Sequence, residues 1–191
     1  MLRRASFLTA ILFATAPLTA SEAPAGFAID WQGGPETDGV KRSLDAQIAL
    51  VEALPISDDA MAFFRAQPIA VDRGEGTETR AGPRGIFFGR RVVPRDNPVL
   101  LHELIHRWQL VRMPGGMENP DILRFYRQAR DSGLYPANAY MLSNPFEFFA
   151  MTASTVLYGR AARPPFARAN VKAKSPELYA FIVREFGLRG G

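Results

Sequence analysis

Apolar positions recur along the chain with two different periods, and the change from one to the other divides it. Leu44, Ile48, Val51 and Leu54 recur at helical spacing, which predicts a helix over 43–54, and Ser57 caps a short second helix through Phe63 and Phe64. Four later helices share one kind of punctuation. An Asn or Ser supplies the N-cap, a Pro follows in the first turn, and Gly or Pro closes the element. These predict helices over 97–112, 119–131, 144–158 and 175–186. Runs at 27–31, 68–72 and 86–93 read as strands bounded by Gly, Pro and charged turns, so a small sheet precedes a helical half. Segments 74–84 and 160–174 carry neither period and read as exposed loops. The pattern predicts an α+β fold and contains no internal repeat.

Composition narrows this to one domain over residues 26–191. With 191 residues, 47% hydrophobic and 22% charged, the chain has material for one packed core and not for two. Residues 1–25 read as an export signal, with Arg3 and Arg4 ahead of an apolar stretch and small residues after it. Cleavage is expected after Ala20 or after Ala25. The apolar run of about 14 residues is too short to span a bilayer, so the mature protein is expected outside the cytoplasm, periplasmic or extracellular, without stable membrane association. Loss of Arg3 and Arg4 lowers the formal charge from +4 to about +2. That balance argues against a nucleic-acid partner. Zero cysteines exclude disulfides, thiolate metal ligands and a cysteine nucleophile.

Both histidines of the chain fall in His102-Glu103-Leu104-Ile105-His106. Residues four apart share one face of a helix, so His102 and His106 can present two imidazoles to a single ion. Random placement of two histidines among ten glutamates gives this pattern about once in two thousand chains. On a helical wheel, Leu101, Leu104, Ile105, Trp108 and Val111 form an apolar stripe, and the histidines point about 140° from its centre. The stripe is expected to hold the helix to the core while the histidines face a cleft.

Imidazole with oxygen neighbours and no thiolate suits Zn²⁺, one per chain, and a catalytic zinc takes three protein ligands. The third must come from a carboxylate or a weaker oxygen ligand, because no further His or Cys exists. Glu118, Asp121, Asp131, Glu177 and Glu185 are available downstream, and Glu147 is the best candidate. It sits in the first turn of the 144–158 helix, about 120° from a stripe of Phe146, Phe149, Ala153, Val156 and Leu157. The same position also suits an acid that merely favours the helix start and caps Asn144.

Three pieces together resemble a gluzincin metallopeptidase of the type found in the catalytic domains of anthrax lethal factor and the Pro-Pro endopeptidases. They are His102-Glu-Leu-Ile-His106, the segment Asn144-Pro-Phe-Glu-Phe-Phe-Ala150, and Tyr140 seven residues before Glu147. The resemblance covers about 86–158. The chain departs from it at Ala150 and Met151, where members often carry a second acid. The resemblance implies a zincin-like fold, zinc on His102, His106 and Glu147, Glu103 as general base and then acid, and Tyr140 as oxyanion donor, with Tyr126 and Tyr135 competing for that last role. It implies an exported endopeptidase acting on a protein or peptide, with the zinc activating water. A non-catalytic secreted binding module of the same fold is the alternative, although such a module has no need of Glu103. An extended peptide is expected to add to a sheet edge, for which 86–93 is the candidate, with Arg84, Arg90, Arg91 and Arg95 as candidates for steering acidic substrates.

Overall fold

Local capping sets several of the element boundaries directly. The computed structural model describes residues 26–32, 37–75 and 77–190, and the leader expected over residues 1–25 lies outside them. Among the described residues the order is β1 (Ile29–Trp31), α1 (Asp38–Glu52), α2 (Asp58–Arg65), β2 (Ile69–Glu75), β3 (Arg80–Gly82), β4 (Gly85–Arg90), α3 (Val99–Val111), α4 (Pro120–Asp131), α5 (Pro145–Tyr158), α6 (Arg168–Lys174) and α7 (Pro176–Phe186). The side chain of Ser57 accepts from the N–H of Ala60, that of Asn119 from Asp121 and Ile122, and that of Asn144 from Glu147. Each cap satisfies N–H groups that the first helical turn leaves without partners.

The fold is α+β, with a four-stranded mixed sheet in the order β1-β2-β4-β3. β1, β2 and β4 run parallel, with Ile69 paired to Ile29 and to Ile86, and β3 runs antiparallel to β4 with Ala81 opposite Ile86. A two-residue turn, Pro83-Arg84, joins β3 to β4. Gly85 closes it at φ +144°, where a Cβ would lie 2.4 Å from the carbonyl oxygen of Pro68, so only glycine fits between β4 and β2.

Helix α3 packs against β3 and β4 of the sheet and against α1 and α5, with Leu100, Leu101, Leu104 and Ile105 fully buried. Trp108 packs its ring edge-on to Phe63 at 5.0 Å and against Phe186 at 5.1 Å, which ties α3 to α2 and α7. No helix among the described residues is long and apolar enough to cross a membrane.

The structure corrects several expectations. The 74–84 segment contains β3, so β4 is interior and the sheet edge beside α3 is β3, not 86–93. The 160–174 segment contains α6, and α1 begins at Asp38, ahead of the expected Ser43. Asn97 makes no side-chain cap for α3; Gln47 of α1 does that work, accepting from Leu100 N–H at 3.1 Å while donating to the Asn97 carbonyl at 2.8 Å. Val111, placed on the apolar stripe, is 54% exposed because α3 outruns its packing there.

Candidate metal centre

Two faces of α3 build the site. Glu103 and Arg107, one turn apart, face the β3–β4 hairpin, and His102 and His106 face α5. Arg107 is buried and donates to Gln67 Oε1 at 2.9 Å, to the Gly82 carbonyl at 2.8 Å and to the Pro83 carbonyl at 3.0 Å, which clamps the hairpin turn to the helix. The clamp brings the N–H of Ala81 to Glu103, where it donates to Oε2 at 2.7 Å.

Across the site, the Asn144 cap fixes the first turn of α5 and so the backbone of Glu147. Glu147 Oε2 stands 3.0 Å from His102 Nε2 and 3.5 Å from His106 Nε2. The three residues each offer one ligand atom, and these atoms lie within 4.8 Å of one another, a group that could hold a metal ion. Phe146 stacks on His106 with ring centroids 3.9 Å apart and restricts its rotation. The donor set of two imidazole nitrogens and one carboxylate oxygen therefore fits a divalent ion.

The structure brings together all five residues singled out from the sequence. His102, Glu103 and Tyr140 line one cleft of about 340 Å³, with Thr79, Arg91, Met151 and Arg163. Burial pushes the Glu103 carboxyl above its ordinary range, against the pull of His102, His106 and the Ala81 N–H. Burial acts in the same direction on Glu147, but hydrogen bonds and charge from the two imidazoles outweigh it and hold that carboxyl well below the usual range. The Tyr140 hydroxyl is pushed up to about 12 by burial and by the neighbouring Glu147 and Glu103 carboxylates, with Arg163 opposing them.

The competing candidates are engaged elsewhere. Tyr126 donates to the Leu142 carbonyl at 2.9 Å, and Tyr135 is buried near α6 with Lys174 over its ring. Glu185 accepts from Trp108 Nε1, Asp121 and Glu177 pair with Arg124, and Asp131 pairs with Arg130. Of the four arginines considered for steering, Arg91 lines the cleft. Arg84 lines a separate hollow at the sheet, and Arg90 donates to the carbonyls of Asp72 and Gln32.

Sequence reasoning missed Arg163, which stands 5.6 Å from the centre of the Tyr140 ring, and Gln109, whose Oε1 lies 3.1 Å from His106 Nδ1. No local signal marks Arg163, whereas Gln109, three residues after His106 on a helix, lies at a spacing that brings side chains together. Gln109 is fully buried and its Nε2 has no hydrogen-bond partner among the described residues, a state that costs about 1–3 kcal/mol. No protein-family model, no curated protein and no solved structure matches this chain.

Proposed function

We propose that this protein is a zinc-dependent endopeptidase of the gluzincin type, with a zincin-like arrangement of sheet and active helix. The observation that carries the reading is a buried glutamate, Glu103 at 8% exposure, lining the same cleft as His102 and adjoining a convergent His102–His106–Glu147 ligand set. Bound zinc supplies a Lewis acid that polarises a peptide carbonyl and brings the pKa of a water ligand to about 7.

The chain's own residues have separable tasks. Glu103 has Oε2 fixed by the Ala81 N–H, which leaves Oε1 to take a proton from the attacking water and return it to the leaving amine. Burial raises its affinity for a proton above that of a free carboxylate, which favours its acting as the acceptor. Tyr140, with its hydroxyl pushed up to about 12, stays protonated and serves as a donor to the oxygen that becomes negative. An extended peptide adds alongside β3, the edge strand next to Glu103.

The direct test is cleavage of a peptide library by zinc-loaded protein, with zinc removed by a chelator and then restored. Cleavage should stop on removal and return on reloading; library cleavage that continues in metal-free protein would end the zinc reading. Tyr140→Phe should lower kcat by about 10²- to 10³-fold with little change in KM, since the hydroxyl acts in the transition state. A loss confined to KM would make Tyr140 a binding residue only.

A further inference from the structure

We infer that Gln109 is a positioning residue for the metal: its side-chain carbonyl holds the proton of His106 on Nδ1, so that Nε2 offers a bare lone pair to the ion. This rests on the metal-centre reading above and adds to it a residue outside the ligand set. His106 Nδ1 and Gln109 Oε1 are 3.1 Å apart, and both side chains are buried, so no water competes for the contact. Nε2 of the same ring is the atom that faces Glu147, at 3.5 Å. A neutral imidazole carries one proton, and whichever nitrogen holds it cannot ligate. A carbonyl at Nδ1 thus selects the ligating tautomer, and the Phe146 ring stacked at 3.9 Å keeps the imidazole in that plane.

The other end of the same amide argues for function over packing. Gln109 Nε2 is buried with no partner among the described residues, an orphan that a leucine of similar volume would not carry. A side chain kept for core stability alone would not leave a donor in that position. The reversed amide would put its NH₂ against Nδ1 and drive the ring proton to Nε2, where it would block the ligand lone pair.

The test compares full-length wild type with Gln109→Leu, which removes the acceptor, and Gln109→Glu, which keeps one at the same reach. Zinc affinity, read by competition with a chromophoric chelator, should fall 10- to 100-fold in Gln109→Leu and be largely retained in Gln109→Glu. The melting temperature of metal-free Gln109→Leu should change little, because the orphaned amide is lost together with the acceptor of the buried His106 Nδ1. In zinc-loaded wild type, the Nδ1 proton of His106 should give a slowly exchanging downfield NMR signal, and that signal should broaden or vanish in Gln109→Leu. Folded Gln109→Leu with wild-type zinc affinity overturns the inference, as does a His106 Nδ1 proton in the wild type that exchanges as freely as in a solvent-exposed histidine. If Gln109→Leu does not fold, the NMR signal of the wild type and the affinity of Gln109→Glu decide. Wild type that binds no zinc ends the metal reading itself, which is a different result from zinc binding that ignores Gln109.

Discussion

Glu103→Ala protein is expected to fold, to keep its zinc and its affinity for peptide, and to lose turnover by about 10²- to 10⁴-fold or more. At about 1.36 kcal/mol per tenfold, that is a loss of roughly 3–5 kcal/mol of transition-state stabilisation. The carboxylate lies outside the His102–His106–Glu147 group, so its removal takes away the proposed proton carrier and no ligand. Stability should suffer little, because burial already disfavours the charged form of this carboxyl. The Ala81 N–H loses its acceptor, but Ala81 is only half-buried, so water can replace it. Steady-state kinetics on a cleaved library peptide, metal analysis and peptide binding together give the answer. Cleavage unchanged in the variant would refute the assigned mechanism. Zinc-loaded wild type that binds a target but cleaves no peptide in any library would favour the binding-module alternative.

The second large effect concerns the ligand set. Wild type should bind about one zinc per chain, and the double replacement His102→Ala with His106→Ala should abolish stoichiometric binding. Glu147→Ala should weaken zinc by about 10²-fold or more, taking roughly 3 kcal/mol as one ligand's share of the binding energy of a structural zinc site. Glu118→Ala and Glu177→Ala are the controls. Neither residue belongs to the converging group, and Glu177 is engaged with Arg124 at the surface. Chelator titration separates these cases. Stoichiometric zinc in the double histidine variant, or equal affinity in all three glutamate variants, would move the centre elsewhere.

Much of this site is legible in the sequence because it depends on local geometry. His102 and His106 share a face by helical spacing alone, and the cap of Asn144 fixes the start of α5 and so the place of Glu147 in its first turn. What escapes the sequence depends on contacts between distant segments. Gln47 reaches α3 from 53 residues away in the chain to accept from the Leu100 N–H, overriding the local Asn97-Pro98 signal. β3 is three residues long, ending at the Gly-Pro-Arg-Gly turn, too short for an alternating pattern to register. Which strand forms the sheet edge follows from strand order, which the chain order does not give: β3 precedes β4 in sequence yet lies outside it. Arg163 joins the cleft only because the segment before α6 folds back to put Ala161, Ala162 and Arg163 along its wall.

The hydrogen bond between Ala81 and Glu103 also bears on the selectivity of the proposed peptidase. The Ala81 N–H points away from β4 and is already engaged by the carboxylate. A peptide lying along that edge would meet the Ala81 carbonyl but no free donor beside it, and the ladder it formed there would have a gap next to Glu103. Main-chain bonds hold any sequence equally, and a strand of three residues with one donor engaged supplies few of them. Discrimination among peptides then falls to the side chains that enter the cleft, against Tyr140, Met151 and the guanidinium groups of Arg91 and Arg163. For the proposed endopeptidase, a short edge with a gap in its ladder favours selective cleavage over general scavenging of unfolded chains.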